Sequence, residues 1–144
     1  MPGDSAYIDT SVLGAYYCPE ALSTTAEEAL RAVTAPVISL LSEVVFASLL
    51  SRKRRLKEIN ERQAKDILDL FETHVAEGFY RRMSLTTEHF LKARQLVASA
   101  QSALRTLDSL HLAAAISESL PLMTADRELA KEAKRHKNSV ILIK

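Results

Sequence analysis

Short apolar runs alternate along this chain with longer stretches whose apolar residues recur at helical spacing. Ser5-Ala6-Tyr7-Ile8-Asp9 reads as a short buried strand, and a brief helix over Ser11 to Tyr17 follows, stopped near Pro19. Thr24-Thr25-Ala26-Glu27 has the spacing of a capping box and introduces a helix to about Ala32. Pro36 to Ser39 reads as the second strand. Ser39 or Ser42 caps the next helix, which carries Leu41, Val44, Val45, Ala47, Leu49 and Leu50 and ends in Arg52-Lys53-Arg54-Arg55. Ala64, Ile67, Leu68, Leu70, Phe71 and Val75 mark a helix terminated by Gly78. Tyr80 to Leu85 reads as a third strand, and Thr86 or Thr87 caps a helix through Ser99. Thr106 caps another, Pro121 to Thr124 forms a strand, Asp126 stands at an N-cap, and Ser139 to Ile143 reads as a final strand buried on both faces.

Strands alternating with helices imply right-handed crossovers and a mostly parallel sheet between two helical layers, a three-layer α/β/α fold. The 144 residues show no repeat or linker, so the expectation is one domain over residues 1–144. Apolar residues are 47% and charged residues 26%, which excludes disorder. The three glycines, Gly3, Gly14 and Gly78, are too scattered for a phosphate-cradling loop. A single cysteine, Cys18, excludes an internal disulfide framework and a Cys-rich zinc site. Net charge is +1, which announces no nucleic-acid partner and excludes none. The N-terminus lacks the pattern of a secretory signal, and no apolar run spans a bilayer, so the expected location is cytoplasmic.

In parallel sheets, ligands bind beyond the carboxyl ends of strands, where strand order reverses. Four carboxylates fall at such places. Asp9 ends the first strand, Glu43 lies in the first turn after the second, Asp108 opens the helix after Thr106, and Asp126 follows the Leu122-Met123-Thr124 strand. Converging carboxylates repel unless neutralised, and Mg²⁺ or Mn²⁺ is the natural hard partner. Such an ion activates water and stabilises the leaving oxygen of a phosphodiester. Thr10, Ser11 and Thr124 place hydroxyls beside the acids. Plainer roles compete. Asp126 suits an N-cap, Asp108 a helix dipole and Asp9 a turn, whereas Glu43, set in Leu40-Leu41-Ser42-Glu43-Val44-Val45-Phe46, has no obvious solvent face.

Tyr7-Ile8-Asp9-Thr10-Ser11-Val12-Leu13 resembles the opening motif of PIN-domain nucleases. Ser42-Glu43-Val44 resembles their second acidic motif, Arg105 to Ala115 their third, and Leu122 to Leu129 their fourth. The chain is similar in length and order to VapC-type toxins of toxin–antitoxin pairs. The resemblance implies a Mg²⁺- or Mn²⁺-dependent endoribonuclease acting on RNA, with Asp9, Glu43, Asp108 and Asp126 as the acidic pocket. Thr10, Ser11 and Thr124 are carried over as supporting hydroxyls. It further implies a homodimer and a small antitoxin partner.

Other features have weaker chemistry. Arg52, Lys53, Arg54 and Arg55 could contact RNA phosphates or form a solvated helix end. Arg81-Arg82 has the same two readings, as phosphate contacts or edge-strand protection. His111 follows Asp108 on one helix face and suits a core or supporting role better than a catalytic one. His74, His89 and His136 read as surface residues, and Tyr16-Tyr17 as packing aromatics. Rival functions are an RNA-processing PIN nuclease without an antitoxin, a non-catalytic PIN-like binding module, and an α/β phosphatase or phospho-receiver built on Asp9.

Overall fold

A computed structural model describes residues 4–144, so Gly3 and the start of the N-terminus lie outside the described residues. The elements in order are β1 (Ser5–Ile8), α1 (Thr10–Tyr17), α2 (Ser23–Arg31), β2 (Ala35–Ser39), α3 (Leu40–Arg55) and α4 (Glu61–Ala76). They continue with β3 (Arg81–Met83), α5 (Thr87–Ser99), α6 (Thr106–Ser117), β4 (Leu122–Thr124), α7 (Arg127–Arg135) and β5 (Val140–Leu142). The five strands form one sheet in the order β3-β2-β1-β4-β5, and every pairing is parallel.

Side-chain alternation along the strands separates two cores. Ile8, Ile38 and Met123 face a cluster built with Val12, Leu13, Leu30, Phe46 and Phe71 from α1 to α4. Tyr7, Val37 and Leu122 face the other way, against Leu96, Leu112 and Leu129 from α5, α6 and α7. This gives the three layers. The chain winds from β1 outward through β2 to β3, then returns to place β4 on the other side of β1. The strand order therefore reverses between β1 and β4, and the site described below opens there.

Local chemistry sets most boundaries. Ser39 and Ser42 form a reciprocal capping box that turns β2 directly into α3. Gly78, at φ 77°, follows α4, where Phe79 N–H donates to His74 O at 2.9 Å in a Schellman-type ending. Asn60 and Gln63 form a further box that starts α4.

Several expectations need correction. α2 begins at Ser23 and no side chain caps it, because Ser23 Oγ donates to Cys18 O at 2.8 Å and accepts from Glu20 N–H. Arg105, not Thr106, is the N-cap residue of α6, and Thr106 O accepts from Ser109 Oγ. β5 is an edge strand with Ile141 exposed, so its apolar run is not buried on both faces. His89 is buried, with Nδ1 accepting from Thr86 N–H at 2.9 Å, rather than lying on the surface. Among the described residues no helix is long and apolar enough to cross a membrane.

Candidate active site

Asp9 directly follows β1 and is held at the switch point by its backbone, whose N–H donates to Met123 O of β4 at 2.9 Å. Its carboxylate is buried, only 3% exposed. Two hydroxyls fix one of its oxygens. Ser11 Oγ donates to Oδ2 at 2.5 Å and Thr124 Oγ1 donates to the same atom at 2.9 Å. The donors are themselves anchored, since Ala125 N–H donates to Ser11 Oγ and Asp126 N–H donates to Thr124 Oγ1, both at 3.0 Å. The turn after β4 thus braces the turn after β1, and a charged group that burial would penalise is retained by hydrogen bonds.

Asp9, Asp108 and Asp126 line one cleft of about 550 Å³ together with Thr10, Ser11 and His111. α3 contributes Val45, Ser48, Leu49 and Arg52, spaced as one helix face. Arg105 stands at the rim and its Nε lies 3.4 Å from Asp108 Oδ2. Burial pushes the Asp108 carboxyl above the usual carboxylate range, and the neighbouring Asp9 and Asp126 charges push the same way, while Arg105 opposes them. Asp126 keeps the N-cap role read from sequence, with Oδ1 accepting from Glu128 N–H at 2.9 Å and Leu129 N–H at 3.3 Å. The cap and the cleft position are compatible, because both bonds use the same oxygen.

Glu43 does not join these three. Its carboxylate receives a bidentate pair from Arg82, at 2.8 Å from Nε and 2.9 Å from Nη2. It lies two residues before Val45, which places it on the opposite side of α3 from the cleft. The apolar neighbours that argued against a solvent face are misleading, because Leu40 and Val44 are themselves exposed, at 47% and 68%. The carboxylate cluster at the switch point therefore has three members, and the α3 wall that faces it is uncharged until Arg52.

The basic run divides. Arg52 lines the cleft, Lys53 pairs with Glu20 at 2.8 Å, and Arg55 donates to Ser51 at 2.7 Å. Arg54 is exposed. Arg81 and Arg82 lie on edge strand β3, with Arg82 committed to Glu43. Tyr17 packs against Phe46 and Phe71 and hydrogen-bonds Tyr80 at 2.8 Å and His74 at 2.6 Å, an interior role. Cys18 is buried, and burial pushes its thiol up, which disfavours the thiolate.

His111 takes the core or supporting place that its sequence setting suggests. It is 1% exposed, with Nδ1 2.7 Å from Tyr7 Oη and Nε2 3.2 Å from Thr10 Oγ1. Burial lowers its pKa against the opposing pull of Asp9, so the ring is biased towards neutrality. Its only sequence signal was the three-residue spacing from Asp108.

The donor set fits a hard divalent cation. Three carboxylates, hard oxygen donors, line one cleft, and the upward shift of Asp108 comes first from burial and then from the Asp9 and Asp126 charges, a crowding that a cation would relieve. Among the described residues no group of three or more His, Cys, Asp or Glu side chains is placed so that it could hold a metal ion as it stands. An ion drawn to these carboxylates would keep part of its shell as water.

A PIN domain family model matches residues 6–135, and the chain belongs to that family. Solved structures share the fold. FitAcB from Neisseria gonorrhoeae is 14% identical, with a TM-score of 0.74 over 94% of this chain and 96% of that one. VapC20 from Mycobacterium tuberculosis, described as a sarcin-ricin loop cleaving toxin, is 15% identical, with a TM-score of 0.69 over 88% and 93%. VapBC-5 from Mycobacterium tuberculosis, a member of the VapBC family of toxin–antitoxin systems, is 21% identical, with a TM-score of 0.61 over 97% and 98%. No curated protein sequence matches the chain.

Proposed function

We propose that this protein is a Mg²⁺- or Mn²⁺-dependent endoribonuclease that acts as the toxin of a toxin–antitoxin pair. The observation that carries the reading is the convergence of Asp9, Asp108 and Asp126 on one cleft at the strand-order switch. When bound there, a divalent cation would polarise the scissile phosphate and activate a water. Asp9, Asp108 and Asp126 are the residues that would hold it. Ser11 and Thr124 orient the Asp9 carboxylate by their bonds to Oδ2. Arg52 and Arg105, at the cleft wall and rim, draw the phosphate backbone in.

Membership of the PIN family supports the hydrolase reading, and the named neighbours support the toxin reading by fold. A small antitoxin partner and a homodimer belong to the same proposal. The exposed apolar residues Leu40 and Val44, one turn apart on α3, support a protein-contact surface. A cytoplasmic location belongs to the same proposal. The test is incubation of purified protein with total RNA in Mg²⁺, with and without chelator. Discrete cleavage abolished by chelator supports the reading, whereas cleavage indifferent to chelator or no cleavage at all contradicts it.

A further inference from the structure

Behind the cleft runs a buried polar chain that metal binding does not use. Ser42, Ser39, Tyr7 and His111 are each 1% exposed or less, and the chain ends at Thr10 in the cleft. Tyr7 Oη lies 2.8 Å from Ser39 Oγ, and His111 bridges Tyr7 to Thr10. Four segments of the fold meet in this chain: β1, the β2–α3 junction, α6 and the first turn of α1.

The bond lengths give its direction. The Tyr7–His111 contact, at 2.7 Å, is short for a ring N–H donor, whose bonds cluster at about 2.9–3.0 Å, and ordinary for an O–H donor. A phenol is also a better donor than a neutral imidazole N–H, and a bare imidazole nitrogen a better acceptor than a phenol oxygen. Tyr7 therefore donates to Nδ1. The His111 proton then sits on Nε2, and the 3.2 Å bond to Thr10 Oγ1 has the longer length of an N–H donor. Ser39 Oγ and Ser42 Oγ already accept each other's backbone N–H, at 3.3 and 3.1 Å, so the Ser39 hydroxyl proton is available to Tyr7. In the opposite direction the Ser39 proton has to go to Ser42 Oγ over a longer 3.3 Å contact, in place of the 2.8 Å bond to Tyr7.

We propose that the chain Ser39–Tyr7–His111–Thr10 is a directional relay that locks His111 as the Nε2–H tautomer and leaves the Thr10 hydroxyl proton free to donate to an anionic phosphate oxygen in the cleft. The assignment of the acceptor rests on the nuclease reading. Thr10 has one side-chain hydrogen bond among the described residues, the one to His111, and in this direction it is the acceptor there. His111 is a positioning residue, whereas Thr10 touches substrate.

The test has two arms. Long-range nitrogen–proton correlation spectra of the labelled wild-type protein report the His111 tautomer without any variant. A bare Nδ1 and a protonated Nε2 are expected, and a protonated Nδ1 with a bare Nε2 overturns the relay. In the second arm, RNA cleavage is compared for Thr10→Ser and Thr10→Val at matched thermal stability. Serine is expected to stay within about threefold of wild type, and valine to lose about tenfold or more, in kcat rather than KM. Equal rates for the two variants overturn the donor role. A wild-type protein that cleaves no RNA contradicts the nuclease reading, and the histidine spectrum then decides the relay by itself.

Discussion

Thr124 Oγ1 donates a 2.9 Å hydrogen bond to Asp9 Oδ2, joining residues 115 positions apart in sequence across the β1–β4 pair. The bond exists because the parallel register sets Met123 beside Ile8, which brings the end of β4 alongside the end of β1. Thr124 is wholly buried, so it serves Asp9 rather than solvent.

Replacing Thr124 with Val keeps its shape and removes a donor from a buried carboxylate. We expect a destabilisation of about 1–3 kcal/mol and a loss of cleavage, with Thr124→Ser restoring most of both. Chemical denaturation and RNA cleavage assays check this, and a Val variant with wild-type rate and stability would remove the support role.

Asp108 makes a different prediction. Burial and the Asp9 and Asp126 charges raise its carboxyl pKa, so the folded protein holds that proton more readily than the unfolded chain. Its contribution to stability is therefore fully present below the unfolded carboxylate pKa and is lost as pH rises through the higher folded value. Asp108→Asn removes the charge, and the metal-free variant should melt about 2–4 °C higher than wild type while losing cleavage. Thermal melts with chelator at neutral pH decide it, and a lower melting temperature refutes the electrostatic account.

Arg52 should act through phosphate contact alone. Arg52→Ala is expected to weaken RNA binding to every sequence alike and to reduce the salt-dependence slope by about 0.7. Binding measured at several salt concentrations reads both, and an altered sequence preference with an unchanged slope would contradict this role.

Much of this was legible in the chain. Asp9, Asp108 and Asp126 could be placed because each follows a recognisable strand or opens a helix, and strand ends in a parallel sheet are where ligands bind. Glu43 misled for a physical reason. An apolar setting was read as burial, but α3 carries exposed Leu40 and Val44 on its outer side, and linear periodicity does not say which apolar face turns inward. The edge position of β5 was hidden likewise, since Val140-Ile141-Leu142 has the composition of a central strand. The Tyr7–His111–Thr10 bridge links residues over 100 positions apart, at |i−j| of 104 and 101, and only the tertiary fold brings them together.

The central claim is that three aspartates, without Glu43, form the active centre. It is tested most directly by RNA cleavage rates of Asp9→Asn and Glu43→Gln, measured side by side in Mg²⁺. The Arg82–Glu43 pair lies outside the cleft, and solvent screens an exposed pair of this kind so that losing it costs little. The account predicts that Asp9→Asn falls to background while Glu43→Gln stays within about twofold of wild type, since a change below ~0.4 kcal/mol in the barrier is expected from a residue that faces away from the cleft. A Glu43→Gln variant as inactive as Asp9→Asn, or an Asp9→Asn variant that still cleaves, would contradict it.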